Sequence, residues 1–275
     1  MYCENKFHTT ILNDSQYEWL VLFMPPVKTK PLKYGYRDIL TGIFYVVKTG
    51  CQWRMIPPCF PPWQVVYYHF RKFIKGLLSS LYSALCWTRR AVTGNKDNFR
   101  KAKKLIIDSQ SIKTSHSAGI RGIDGNKKIK GIKRHVLVDT QGLLHTVLIT
   151  PANVHDSVAA KELLYKHSIT QGNPKEVLAD KGYRGDVLKD YVKYQLQSTM
   201  KIKIPKKPAT ILSNNDPNFK VYKDRWVVER SFAWLNYSRR LWRNSEGRIE
   251  TTEAMTQLAF LKLMLNRLYG ERVRW

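Results

Sequence analysis

The sequence predicts an α/β fold in two parts, an all-helical domain at the N-terminus followed by a mixed sheet flanked by helices. Through residue 90 the apolar residues recur at helical spacing, whereas beyond residue 104 short β-branched runs alternate with helical segments. The third observation is charge. With 47 Lys+Arg against 21 Asp+Glu, the 275 residues carry a net +26, spread over both parts: +9 in residues 1–100 and +17 in the remainder. Hydrophobic residues make up 43% and aromatics 12%, enough to bury a core, so the excess charge sits on a folded protein and implies a polyanionic partner.

A first helix starts near Gln16 behind a cap at Asp14. After Pro25-Pro26, a second runs from Tyr36 to Lys48 with Ile39, Ile43, Val46 and Val47 on one side and Gly50 as its stop. The proline-rich stretch from Ile56 to Pro62 reads as an extended connection. Helices follow from Trp63 to Lys75 and from Leu77 to Trp87. These elements give a helical domain over 1–90. Its basic residues Arg37, Lys48, Arg54, Arg71, Lys72 and Lys75 leave two readings open: a helix-turn-helix-like DNA reader, or a bundle with a solvated basic surface. A basic linker spans 91–104.

Strands are predicted at Leu105–Asp108, His135–Asp139 and Leu143–Ile149, then a helix from Ser157 to Lys166, a strand at Glu176–Asp180, a helix from Asp186 to Tyr194 and a strand at Met200–Ile204. A long helix from Asp224 to Trp242 and a final one from Thr252 to Leu268 complete a domain over 105–275. Three strands, helix, strand, helix, strand, helix is the order of an RNase H-like mixed sheet. No apolar stretch approaches the roughly 20 residues of a membrane span, and Met1 to Lys6 has no signal pattern. A cytoplasmic protein is expected. Cys3, Cys51, Cys59 and Cys86 form no zinc pair or disulfide framework by spacing and are read as reduced thiols.

Asp108 and Asp180 close two apolar strands, and strand ends in an α/β sheet share an edge where ligand sites collect. A third acid, Glu229, lies within the long helix. Three hard oxygen ligands of this kind suit Mg²⁺, and two such ions would clamp an in-line displacement at phosphorus. Tyr222, Arg225, Glu229, Asn236 and Arg240 fall on one face of the predicted helix, with Val228, Phe232 and Leu235 as its packing stripe.

The chain resembles the DDE transposases of bacterial insertion sequences, specifically the insertion sequence five group of the IS-four-like superfamily. The resemblance rests on Gly50-Cys51-Gln52-Trp53-Arg54-Met55-Ile56-Pro57, on Ile107-Asp108-Ser109-Gln110-Ser111-Ile112-Lys113-Thr114 and on Lys130 to Asp139. It continues in Ala179-Asp180-Lys181-Gly182-Tyr183-Arg184-Gly185 and in Arg225 to Leu235, in the family's order. It implies that Asp108, Asp180 and Glu229 are a metal-binding catalytic triad, with 71 and 48 residues between successive members. It also implies two Mg²⁺ ions, replaceable by Mn²⁺, and a two-step reaction on double-stranded DNA. Hydrolysis at the terminal inverted repeats frees a 3′-hydroxyl, which then attacks target DNA. Synapsis of two ends implies at least a homodimer, and such a protein works at the bacterial nucleoid. The family signature Tyr-x2-Arg-x3-Glu-x6-Lys is matched by Tyr222, Arg225 and Glu229, whereas Asn236 stands at the last position and Arg239 or Arg240 is expected to replace the missing lysine.

DNA contacts are further expected from Arg184, Arg230 and a Gly-rich basic loop carrying Lys113, Lys127, Lys128, Lys130, Lys133 and Arg134. Lys201, Lys203, Lys206 and Lys207 form a second basic edge. Trp226, Trp234 and Trp242, spaced by eight, are read as core packing, and Asp139 and Asp156 as turn and cap residues, with Asp156 close enough in chain order to the three acids to be a candidate for supporting them. Two other readings stay open: a DNA-binding protein that no longer cuts, and an RNase H-like nuclease without strand transfer.

Overall fold

A computed structural model of the chain describes residues 10–24, 33–76, 78, 80–81, 84, 104–116, 118–183, 185–202 and 223–269. The expected linker 91–104 (apart from Lys104), most of the helix from Leu77 to Trp87, and Lys203, Lys206, Lys207, Arg184 and Tyr222 lie outside these residues. Two units divide the chain. One contains residues 1–96, 113–120 and 235–275, and the other residues 97–112 and 121–234.

The first unit is helical. Helix α1 (Asp14–Val21) is capped by Asn13 rather than Asp14: the Asn13 side chain accepts from the Gln16 amide while Gln16 reaches back to the Asn13 backbone. This is a reciprocal capping box, which an acid at the next position cannot form. Helix α2 (Tyr36–Thr49) buries Ile39, Leu40, Ile43, Phe44, Val46 and Val47 and stops at Gly50, as expected. Gly50 adopts φ +73°, and a Cβ there would lie 3.2 Å from the Arg239 and Arg240 backbone. A 3₁₀ turn, Trp53–Met55, leads to α3 (Trp63–Gly76), and the Trp53 ring packs 4.6 Å from that of Phe70. The last helix of the chain, Ile249–Tyr269, belongs to this unit: it packs on α1, α2 and α3 through residues such as Leu258, Leu261 and Leu265. Asn13 donates to the Tyr269 carbonyl, and Lys262 reaches the Ile11 carbonyl. Cys51 keeps a free thiol, but Cys59 is disulfide-bonded, which corrects the reading of all four as reduced; sequence spacing does not register a single pair joined by the fold.

The second unit is a six-stranded mixed sheet. Strand β1 (Lys104–Lys113) lies between β3 (Ile129–Asp139) and β5 (Glu176–Ala179), with β6 (Thr199–Ile202) beyond β5. The short β2 (Gly122–Asp124) pairs antiparallel with the first residues of β3, and β4 (Leu144–Pro151) with the rest. Pairings β1–β5 and β5–β6 are parallel. Leaving out the small β2, the order β4-β3-β1-β5-β6 with antiparallel early and parallel late strands is RNase H-like. Helix α4 (Asp156–Gln171) covers β3 and β4, bringing Ala159, Ala160, Leu163 and Leu164 against Leu105, Ile107, Leu137 and Leu148. Two adjacent alanines on that helix face let it approach the sheet closely. Further along the chain, α5 (Asp186–Asp190) passes into a π turn at Tyr191–Gln195.

Three segments differ from the sequence expectation. Strand β1 continues five residues past Asp108, placing that acid inside the strand. The basic loop is instead a hairpin, β2–β3. Buried Asp124 holds it by accepting from the Ser111 hydroxyl (2.5 Å) and from the Asn126 and Lys127 amides. Helix α6 (Lys223–Leu235) ends seven residues early: the Ser238 amide bonds the Leu235 carbonyl, and a separate 3₁₀ turn forms at Arg239–Leu241. Apolar periodicity runs straight through that break, which polar Asn236 and Ser238 make possible.

Asp139 shapes the turn joining β3 to β4. Its Oδ1 accepts from the Gln141 and Leu143 amides (2.9 and 3.0 Å), and its Oδ2 faces His145 Nε2 at 3.4 Å. Burial alone would raise this carboxyl, but His145 and the two amides outweigh it and hold it below the ordinary value. A depressed acid stabilises the fold above its unfolded pKa, and this contribution disappears as pH falls through the folded value. We expect Asp139→Asn to cost about 1–3 kcal/mol near pH 7. In urea denaturation the gap to wild type should narrow below roughly pH 4; a gap that stays constant with pH would refute the assignment.

Candidate active site

Parallel pairing of β1 and β5 aligns Leu105 with Val177 and Ile106 with Leu178. Continued two places, this register sets Asp180, the first residue beyond β5, beside Asp108, on neighbouring strands about 4.8 Å apart. Asp108 is half-buried and its Oδ1 accepts from the Ser109 amide at 2.7 Å. Asp180 is exposed and accepts from the Gly182 amide at 2.8 Å. A Cβ on Gly182 would stand 3.1 Å from Asp180 Oδ1 and 3.7 Å from Asp156 Oδ2, so both carboxylates crowd against that backbone.

Asp156 is therefore a third acid at this place. It opens α4 but does not cap it; His155 is the cap. The Asp156 carboxylate instead accepts from Ser109 Oγ at 2.9 Å and pairs with Lys133 Nζ at 3.2 Å. His135 Nδ1 lies 3.9 Å away, but burial lowers this imidazole to about 4 and it is neutral at pH 7. Burial, then the charges of Asp180 and Asp156, push Asp108 from the ordinary 3.8 up to about 7, against the Ser109 amide and Lys127. Tyr183, 1% exposed, faces the same three acids. Burial and their charges push its phenol well above the usual range, against a hydrogen bond with the Ser109 side chain. Sequence reasoning passed over Ser109 and Tyr183 in this role, although both lie inside the motifs it quoted.

Glu229 is exposed on α6 and is not among the leading charges acting on Asp108. Asn236, Arg239 and Arg240 fall outside α6, so one helical face does not carry them with Glu229. Arg240 is occupied structurally: it pairs with Glu246 at 2.7 Å and donates to the Cys51 carbonyl. Arg230 also turns inward, its guanidinium 4.9 Å from both the Trp226 and Trp234 rings and bonded to the Gln141 carbonyl. Trp226 and Trp242 are more than half exposed, which corrects their reading as core. Of the basic loop residues, Lys113, Lys127, Lys128 and Lys130 are exposed. Lys133 and Arg134 are buried in β3, which corrects their place in a loop. Lys133 serves Asp156, and Arg134 lies near Gln110, its guanidinium lowered by burial to about 9.

No group of three His, Cys, Asp or Glu side chains among the described residues is close enough to hold a metal ion. The donor chemistry at Asp108 and Asp180 nevertheless fits a hard divalent cation. Hard oxygens crowd together, one of them is forced toward its protonated form, and a Cβ on Gly182 would touch both Asp180 and Asp156. A cation at that pair would relieve the repulsion that raises Asp108.

The family described as "Transposase DDE domain" matches residues 100–265, and "Putative transposase of IS4/5 family" matches residues 12–78. The chain is 33% identical over 109 residues to the transposase for insertion sequence element IS1106 of Neisseria meningitidis serogroup B, covering 38% of this chain and 36% of that protein. It is 26% identical over 145 residues to the putative transposase for insertion sequence element IS402 of Burkholderia cepacia, covering 50% and 64%. The matched stretches thus span less than two thirds of the curated relatives' length. Among solved structures, the catalytic core domain of BIV integrase aligns with a TM-score of 0.37 and 16% identity, covering 62% of this chain and 87% of that one. Since the first of these families covers more than half of the chain, the protein belongs to the DDE-domain transposase family.

Proposed function

We propose that this chain is the transposase of an insertion sequence, a divalent-metal-dependent enzyme that cuts DNA at the element's terminal inverted repeats and joins the freed 3′-hydroxyl to target DNA. The single observation that carries this reading is the register placing Asp180 beside Asp108, with Asp108 forced up to about 7 by burial and its acidic neighbours. Asp108 and Asp180 would hold the metal, with Glu229 as the third ligand; two Mg²⁺ ions are proposed, and Mn²⁺ as a substitute. When bound, the metal would activate the attacking oxygen and neutralise the leaving one.

The protein's own residues do the remaining work. Ser109 and Lys133 fix Asp156 beside the pair. Lys127, Lys128 and Lys130 on the exposed hairpin, with Lys113, supply positive charge along a DNA backbone, and Lys127 already acts on Asp108. Arg184, Tyr222 and Arg225 are proposed as further DNA contacts, as are exposed Asn236 and Arg239. We assign end recognition to the helical domain over 1–90, with 91–104 as linker and 105–275 as the catalytic domain, although its last helix, Ile249–Tyr269, packs within the helical unit, and we place the protein in the cytoplasm at the nucleoid as a homodimer or larger on DNA. Among the described residues no helix is long and apolar enough to cross a membrane.

The test is an assay with duplexes carrying the element's own ends, target DNA and Mg²⁺. Asp180→Ala and Glu229→Ala should each lower cleavage by about 10³-fold or more, while a gel-shift assay still shows binding to the ends. Cleavage without joined products would favour a nuclease, and binding without cleavage by the wild type a silent DNA-binding protein.

A further inference from the structure

The geometry points to the β3–β4 turn as the device that positions Glu229, with Arg230 and Ser231 as positioning residues. This inference rests on the reading of Glu229 as a metal ligand. The two residues directly after Glu229 both bind that turn. Arg230 Nη2 donates to the Gln141 carbonyl at 2.9 Å, and Ser231 Oγ donates to the Gly142 carbonyl at 2.7 Å, with the Val227 carbonyl as the alternative acceptor at 2.9 Å. Trp234, one turn on, lies against the same glycine: a Cβ on Gly142 would stand 3.1 Å from its ring and 2.8 Å from Ser231 Oγ.

The turn is itself held rigidly. Gly142 has φ +82°, its amide bonds the Asp139 carbonyl, and the Asp139 side chain takes the amides on either side of it. The carbonyls of Gln141 and Gly142 thereby point at α6. Arg230 is preset in turn, because its guanidinium is flanked by the Trp226 and Trp234 rings. Each residue of an α-helix advances by about 1.5 Å and 100°. Anchoring positions 230 and 231 therefore fixes both the height and the rotation of position 229, which itself faces solvent. A carboxylate on an unanchored helix would otherwise have to be brought to the Asp108–Asp180 pair at the cost of ordering the helix each time.

The test compares wild type, Glu229→Gln, Ser231→Ala and the double variant Arg230→Gln/Ser231→Ala. Mn²⁺ binding to the protein without DNA is followed by titration calorimetry, cleavage by kcat and KM for end DNA, and integrity by thermal melting. Loosening a ligand's support typically costs about 10–100-fold in metal affinity or activity. The double variant should weaken Mn²⁺ binding and lower kcat within that range, and Ser231→Ala should do so by a few-fold. KM for DNA should stay within about twofold, and excess Mn²⁺ should recover much of the lost rate. Wild-type Mn²⁺ affinity and kcat in both variants, with Glu229→Gln inactive, would overturn the positioning role and leave the metal-ligand reading intact. Wild-type cleavage by Glu229→Gln would overturn that reading itself. If the double variant fails to fold, Ser231→Ala alone decides, since it removes one hydroxyl and leaves the Arg230 contact in place.

Discussion

Asp108→Asn should abolish DNA cleavage and at the same time raise the melting temperature of the metal-free protein near pH 8. The first half follows from losing one of the two adjacent carboxylates that fit a divalent cation, roughly 10³-fold or more in rate. The second follows from the lift of Asp108 from 3.8 to about 7. A carboxyl with a raised folded pKa binds its proton more tightly in the native state. Its burial costs nothing below the unfolded value, and stability is lost progressively as pH rises from there through about 7. A shift of this size corresponds to about 4 kcal/mol at 1.36 kcal/mol per unit. With Asp108 still partly solvated, about half of that, ~2 kcal/mol, is a reasonable expectation. For a chain of this length this amounts to roughly 4–8 °C. The gap should close near pH 4 and shrink when Mg²⁺ is added to the wild type. Melting of the Asp108→Asn protein below wild type at pH 8, or a gap unchanged at pH 4, would contradict the account.

Gly50→Val is expected to have the largest effect on the helical unit. Gly50 ends α2 in the left-handed region at φ +73°, where a β-branched residue is a genuine outlier. Its Cβ would also press at 3.2 Å on the backbone at Arg239 and Arg240, which cannot swing aside as a side-chain tip can. Arg240 is meanwhile tied to Glu246 and to the Cys51 carbonyl, so the strain reaches the 3₁₀ turn at Arg239–Leu241 and the segment after it. We expect a loss of about 3–4 kcal/mol from the backbone conformation and the contact combined. Chemical denaturation should show it, with Gly50→Ala at less than the full loss. Wild-type stability of the Gly50→Val protein would mean that the segment at Arg239 yields freely.

The elements that sequence made legible are those with a single strong local signal. Gly50 stopped α2 as expected because a left-handed cap demands glycine, and the apolar runs at Leu105 and Val177 became strands because they are buried on both faces. Asp108 and Asp180 were legible as a pair because both follow such runs, although only the register brings them side by side. The end of α6 was not legible, since Val228, Phe232, Leu235 and Trp242 keep a helical period across a break made by the Ser238–Leu235 bond. That error carried Asn236 and Arg240 onto the face of Glu229. Lys133 and Arg134 were misplaced for a related reason: their charges suggested a surface loop, while β3 is long enough to bury both beside Asp156 and Gln110. Charge predicts a partner, not whether that partner is DNA or a buried acid. Ser109 and Tyr183 have no local signature at all, because their significance comes from the acids around them.

The helical unit is assembled from opposite ends of the chain, Asn13 bonding to Tyr269 across 256 residues. During synthesis, α1, α2 and α3 leave the ribosome long before Ile249–Tyr269 exists. At ordinary elongation rates the interval is roughly 10–40 s. For that time the apolar faces of Phe44 and Phe70 lack their final partner, while the strands from Lys104 to Ile202 that carry Asp108 and lead to Asp180 are being made. A chain interrupted before residue 249 would therefore carry Asp108, Asp180 and Glu229 without the finished helical unit. The N-terminal helices are thus made first and packed last, after the strands of the sheet have been synthesised.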